Sequence, residues 1–258
     1  MAEKLKYHQV EKDGPVVIWK FDNPPKNLIN AETGAELDGL VTAFENDPSL
    51  RVAVLTNQRP GVFIQHVDVA TILPRAEALR AGKPPPAQTG SGMGQAIQRH
   101  GPKPIICAIN GLVAGGGAVL TLHCDFRFMS RDGSIGFPEV PLGLVGPWRA
   151  VLPIVGIAYG MELLLLGKNI SAERAERIGL VHRLYESKEL LPETIKFAKE
   201  LAKLPSLTVA LTKKAIYDGA KMSDEEIAGL SRQALGSEDC YRIMSRYVAG
   251  GQNLDDLQ

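Results

Sequence analysis

Two apolar-rich runs open the chain, within residues 5–11 and 15–21, separated by Lys12-Asp13-Gly14-Pro15. Asp-Gly supplies turn chemistry, so the pair predicts a β-hairpin. After Asn23-Pro24-Pro25 the spacing changes: Leu37, Leu40, Val41 and Phe44 form a helical stripe within 31–46, and Val52-Ala53-Val54-Leu55 reads as a buried strand. The strand, helix, strand rhythm then recurs. Residues 105–109 read as a strand bounded by Pro104 and Asn110-Gly111, a glycine turn leads into a short helix at 118–123, and a strand at 126–129 precedes helices around 159–167 and 171–178 and a strand at 181–185. Such alternation predicts an α/β core. From Leu190 onward the pattern is helical, with Ser223 and Glu226 spaced as a capping box and Ile227, Leu230 and Leu235 on an apolar face. The expected organisation is therefore a core over 1–190 and a helical region over 191–258. Between Pro74 and Gly101, where Pro84-Pro85-Pro86 and Gly90-Ser91-Gly92 occur, we expect a long connection that serves as a lid, a pocket wall or surface slack.

Composition narrows the function classes. With 258 residues, 45% of them hydrophobic, the chain can bury a large core. Acidic and basic residues balance at 29 each, which gives no general electrostatic case for nucleic acid or an anionic membrane as partner. Leu163-Leu164-Leu165-Leu166 is too short to span a bilayer and Met1 to Lys6 leads into no apolar signal segment, so the expectation is a soluble, cytoplasmic protein. Cys107, Cys124 and Cys240 lack metal-ligand spacing and read as reduced thiols; no metal site is expected.

The chemistry concentrates in Asn110-Gly111-Leu112-Val113-Ala114-Gly115-Gly116-Gly117, followed by Gly136-Phe137-Pro138-Glu139. Three glycines between a strand and a short helix allow positive φ and close approach of a ligand to bare backbone. Free amides at the helix start suit a carbonyl oxygen that becomes negative during reaction, and Glu139 is the candidate carboxylate beside it.

Taken in order, Asn23-Pro24-Pro25-Lys26, the stretch from Phe63 to Asp68, the glycine turn, Cys124-Asp125, Gly136-Phe137-Pro138-Glu139, Leu142-Gly143-Leu144, Leu166-Gly167 and Gly179-Leu180-Val181 resemble the enoyl-CoA hydratase/isomerase family, the crotonase superfamily, over nearly the whole chain. The resemblance implies a crotonase-like spiral of ββα units, a C-terminal helical region used for assembly, and a homotrimer or dimer of trimers. It also implies an acyl-CoA thioester as substrate, with coenzyme A part of that substrate and no separate cofactor. Matched residue by residue, the two backbone donors to the thioester oxygen fall on Val67 and Gly116, and coenzyme A contacts fall around Lys26, Asn27, Leu28, Gln65 and Asp68.

Several positions depart from the family pattern. Val119 stands where one of two hydratase carboxylates is expected, leaving Glu139 alone. One carboxylate beside an oxyanion site suffices to move a proton between carbons, so double-bond isomerisation with Glu139 as shuttle is the leading expectation. Hydration, another lyase or hydrolase reaction, and a non-catalytic acyl-CoA-binding scaffold are the alternatives. His66 replaces a small residue next to the first oxyanion donor and is either an added acid or base or a ring turned away. Trp148 is expected in the core, with pocket wall as the alternative, and His123 and Asp125 are expected to be structural.

Overall fold

A computed structural model describes residues 5–87 and 94–249. Its main sheet has the order β1-β2-β3-β5-β7-β10, formed by β1 (His8–Asp13), β2 (Val16–Phe21), β3 (Val52–Asn57), β5 (Ile105–Ile109), β7 (Phe126–Ser130) and β10 (Arg183–Tyr185). All its pairings are parallel except the opening hairpin β1–β2. Parallel strands covered on both faces are apolar at consecutive positions, and alternate residues enter different layers. In β5, Ile105, Cys107 and Ile109 join one buried cluster while Ile106 and Ala108 join the other. The same division runs through β2, where Val17, Trp19 and Phe21 oppose Val16 and Ile18.

A second sheet, in the order β4-β6-β8-β9, consists of very short strands: β4 (Val62–Ile64), β6 (Leu112–Ala114), β8 (Ser134–Gly136) and β9 (Ile170–Ser171). The chain crosses to it after β3, β5 and β7, so each turn of the spiral gives one strand to each sheet. At the β5–β6 crossing Gly111 has φ 114°, and a Cβ there would lie 2.2 Å from the Gly61 carbonyl carbon. Only glycine fits this corner, where Leu112 N–H donates to the Gly61 carbonyl oxygen (2.9 Å). Strands of two or three residues are too short to show alternation, which is why the sequence pattern predicts the main sheet and misses this one.

Helix α1 (Ala31–Asn46) occupies the predicted span, capped at Asn30 and Thr33. In the long connection, α2 (Leu73–Arg80) buries none of its residues, whereas Ile97 returns to the core and Ala96 N–H donates to Asp38 Oδ1 (2.6 Å). Gly90-Ser91-Gly92 lies outside the described residues. Helix α3 (Gly116–Leu122) follows the glycine turn, and α4 (Trp148–Leu166) starts well before the helix expected around 159. Pro153 inside it and Gly156 at φ 73°, ψ 177° obscure its first half in the sequence. The same break divides this apolar helix into 148–155 and 157–166, each well short of the roughly 20 residues of a bilayer span. Helix α5 (Ala172–Arg177) then leads to β10.

The boundary expected at 190 falls within a helix. Helix α6 (Ser187–Ala202) runs through it and lays Leu190, Ala198 and Ala202 on the second face of the main sheet, so it belongs to the core. The region standing off the core comprises α7 (Ser206–Asp218), α8 (Asp224–Leu235) with the predicted Ser223–Glu226 capping box, and α9 (Glu238–Ala249). It is tied down at Asp125, which accepts from Ile105 N–H (2.8 Å), Lys213 Nζ (2.7 Å) and Tyr217 OH (3.0 Å). Asp125 is structural, as expected. The Asp125 and Lys213 side chains are only 10% and 11% exposed, so losing one partner strands a desolvated charge. Replacing Asp125 with Ala is expected to cost about 3 kcal/mol or more in urea unfolding. Adding Lys213→Met should recover part of that loss; a single-variant loss within about 0.5 kcal/mol, the range of a surface change, would show that α7 is held elsewhere.

Candidate active site

Three adjacent parallel strands of the small sheet, β4, β6 and β8, end beside one another and deliver the site. Beyond β6, Gly115 N–H donates to the Gly136 carbonyl (2.9 Å), continuing the strand pairing, yet the next residue already begins α3. Passing from strand to helix in one residue puts Gly115 at φ 52°, ψ −131°, a conformation that side chains disfavour. The first bond of the helix is Val119 N–H to Gly115 O (2.9 Å), so the amides of Gly116, Gly117 and Ala118 precede the helical ladder. A Cβ on Gly116 would fall 2.3 Å from Val67 Cγ2, and one on Gly117 would fall 2.4 Å from Ile64 Cγ2. The missing side chains let the helix start lie directly against residues 64–67.

Val67 follows β4 and forms a parallel bridge with Ile29. Ile29 N–H donates to the His66 carbonyl (3.1 Å), and Asp68 N–H donates to the Ile29 carbonyl (2.8 Å). Polar groups of successive residues in an extended segment face opposite sides, so the N–H and C=O of Val67 itself point away from Ile29. The Val67 N–H has no hydrogen-bond partner among the described residues. The bridge is held from below by Asn27, whose Nδ2 donates to Val62 O (3.0 Å), whose Oδ1 accepts from Asn23 N–H (2.9 Å) and whose carbonyl accepts from Gln65 N–H (3.2 Å).

Glu139 completes the arrangement. A Cβ on Gly115 would sit 3.5 Å from Glu139 Oε1 and equally 3.5 Å from His66 Cβ, so the two side chains flank the space that glycine leaves empty. Glu139 Oε2 is buried and unpartnered, and burial raises the carboxyl above its usual range. Val119 is in the core at 8% exposure, so no carboxylate comes from α3. The Nδ1–H of His66 donates to the Val67 carbonyl (2.6 Å).

The predicted site residues therefore separate. Glu139, His66, Val67 and Gly116 converge, while Lys26 is exposed on the turn before Asn27. Asn27 is 1% exposed and its side chain is bonded on both polar atoms, which makes it a pin for the strand. The Leu28 carbonyl accepts from Asn23 Nδ2 (2.7 Å), Gln65 is half-buried, and Asp68 Oδ1 caps the turn at Val69–Thr71 by accepting from Ala70 N–H (3.1 Å). Trp148, expected in the core, is corrected: it is 50% exposed with the Arg149 guanidinium 5.1 Å from its ring centroid. His123 ends α3 at the far side from the glycines and meets His100 there, Nδ1 to Nε2 3.4 Å, with burial taking its pKa down to about 4. Among the described residues no cluster of metal-binding side chains occurs. Sequence reasoning missed Ile29, whose role is visible only in the bridge; the signal nearest to it was Asn27, a residue suited to the left-handed φ of 50° it adopts.

A spiral in which each turn gives one strand to each of two sheets is the crotonase-type fold. Consistent with this, the sequence profile of the Enoyl-CoA hydratase/isomerase family matches residues 11–238, and the chain belongs to that family. It is 30% identical over 236 residues to the crotonyl-CoA hydratase of Syntrophomonas wolfei, covering 88% of this chain and 87% of that protein. It is also 30% identical over 231 residues to the carnitinyl-CoA dehydratase of Salmonella enteritidis, covering 88% and 85%. The solved structure of Pseudomonas aeruginosa DspI superposes with a TM-score of 0.84 at 23% identity, over 96% of each chain.

Gly116→Ala tests the close approach. Its methyl would overlap Val67 Cγ2 and force the two segments apart, so if their amides hold the thioester oxygen, turnover of an acyl-CoA substrate should fall about 100-fold or more, the effect of losing one such donor. Far-UV circular dichroism should stay unchanged; full turnover in a folded variant would separate Gly116 from the chemistry.

Proposed function

We propose that this chain is an acyl-CoA enzyme that passes through a thioester enolate, with double-bond isomerisation as its reaction and Glu139 as the proton shuttle. The observation that carries the reading is the Glu139 carboxyl: half-buried, with one oxygen unpartnered and the other at the edge of the Gly115 space. In the reaction, Glu139 takes the α-proton of a 3-enoyl thioester. The electron pair moves to the thioester oxygen, where the Val67 and Gly116 amides hold the charge more strongly than they hold the neutral carbonyl. Reprotonation at the γ-carbon by the same carboxyl gives the 2-enoyl isomer. A carboxyl whose proton is held above the ordinary range suits both halves of the transfer. The buried Val119 supports a single-carboxylate mechanism.

The coenzyme A portion is assigned to the surface around Lys26, Leu28, Gln65 and Asp68, with Asn27 shaping the turn beneath. Hydration is the second reading, supported by the hydratase and dehydratase named among the relatives. Assembly as a homotrimer or dimer of trimers is part of the proposal, supported by the exposed Tyr241, Met244 and Val248 on α9. Light scattering should then give three or six times the 27.9 kDa chain mass, and a monomer would remove this part.

Glu139→Gln should lower α-deuterium incorporation from deuterated water about 1,000-fold, within the range of a lost general base, without weakening acyl-CoA binding. Exchange needs the carboxylate, so in the wild type it should rise with pH through a midpoint above 4.5. A raised native pKa also means that the protonated carboxyl is the better-tolerated form, and its stability benefit disappears as pH rises through that pKa. Glu139→Gln should therefore unfold at higher urea than wild type at pH 7, with the gap closing below pH 4.5. Undiminished exchange in the variant would remove Glu139 from the mechanism.

A further inference from the structure

Of the side chains that crowd the glycine turn, Ile29, Ile64, Val67 and Pro138 are apolar, and His66 and Glu139 are the two that carry polar groups. A carbonyl oxygen only accepts, so the contact with Val67 O fixes the hydrogen of His66 on Nδ1. In the neutral ring Nε2 is then the nitrogen with a free lone pair. The location of the ring follows from the backbone. Because the Ile29 bridge uses His66 O and Asp68 N–H, the Val67 carbonyl points to the same side as the Val67 amide, and a ring bonded to that carbonyl lies on the side of the proposed oxyanion donor. Glu139 Oε2 has no partner, and the one hydrogen bond of the His66 ring among the described residues goes to Val67 O rather than to Glu139.

We infer that His66 is a second proton carrier of this site, acting through Nε2 on water, and that it gives the protein a hydration activity without a carboxylate at position 119. The inference rests on the enolate reading of Glu139, Val67 and Gly116. In the step, water forms a bond from its oxygen to the β-carbon of a 2-enoyl thioester while Nε2 takes one of its protons. The carbon–carbon π pair shifts to the α-carbon and thioester oxygen, held by the two amides. Protonated Glu139 then delivers its proton to the α-carbon, giving the 3-hydroxyacyl thioester. His66 is left protonated and Glu139 ionised, and return of one proton from ring to carboxylate resets the site. The reverse sequence eliminates water.

Two substitutions separate the nitrogens. Asparagine in His66→Asn keeps a donor near the Nδ1 position and can still hold the Val67 carbonyl, but has no base; His66→Gln places its amide near the Nε2 position and is likewise not a base. A short 2-enoyl-CoA and the matching saturated acyl-CoA, each incubated in deuterated water, report hydration and α-exchange independently. The expected result is hydration by the wild type, a fall of about 100-fold or more in both variants as for a lost general base, and retained α-exchange in His66→Asn. Hydration at wild-type rate in His66→Asn would assign the ring to holding the carbonyl and overturn the inference. So would wild-type exchange without hydration, or equal loss of exchange and hydration in both variants. Wild-type protein with no α-exchange at all would instead overturn the enolate reading itself.

Discussion

The contact between Gly116 and Val67 is the constraint from which the rest of the site follows. A Cβ on Gly116 has no room, since Val67 Cγ2 would be 2.3 Å away. The amide of one strand end can therefore approach the amide of another only where the side chain is absent. Much of the surrounding structure maintains that approach: the Gly111 corner brings β6 beneath the turn, Asn27 fixes the strand carrying His66 and Val67, and Ile29 orients the Val67 peptide from behind. Each glycine in an ordered element costs about 0.5–1 kcal/mol relative to alanine, so three in succession are tolerated only where the surroundings over-determine the backbone. Here the residues around them, Ile64, Val113, Ala118 and Phe137, are at most 2% exposed.

Electrostatics sets a second, opposing demand. A buried carboxyl oxygen without a partner costs about 1–3 kcal/mol, and the fold offers Glu139 Oε2 no donor among the described residues. Burial keeps that cost in place by disfavouring the charged carboxylate. The main sheet, with Trp19, Phe21 and Phe128 fully buried and Phe44 of α1 packed against Trp19, supplies burial that offsets it. Asp125 shows the opposite arrangement, a carboxylate given three donors, and it holds the C-terminal helices rather than taking part in chemistry.

What was legible in the sequence divides along physical lines. Residues 31–46 carry a helical stripe and 105–109 an apolar run closed by Pro104 and Asn110-Gly111, and α1 and β5 have those bounds. Strands of two or three residues carry no period, so the whole second sheet escaped although it forms the floor of the site. Landmark order placed Val67, Gly116 and Glu139 in one site, and the fold brings those three together. It did not reveal how they are held, because the Ile29–Val67 bridge and the His66–Val67 bond depend on where distant segments meet. Asn27 illustrates the limit: the landmark names the residue, and only the fold shows that both polar atoms of its side chain are bonded to neighbouring backbone.

The distribution of groups among elements separates the backbone of the site from its side chains. Val67, Gly116 and Glu139 follow the carboxyl ends of β4, β6 and β8, neighbouring parallel strands, where ligands of open α/β sheets bind. Position 119 is different, lying one turn into α3 and facing the core, so its side chain can become apolar without moving any amide. His66 lies in the β4 segment, where its backbone already belongs to the Ile29 bridge. Placing a titratable side chain there requires no new backbone, because the carbonyl and amide that orient it are the ones that orient Val67. A carboxylate on the helix and an imidazole on the strand end thus belong to separate elements around the Gly116–Val67 contact, and that backbone contact, rather than any single side chain, is what the fold holds in place.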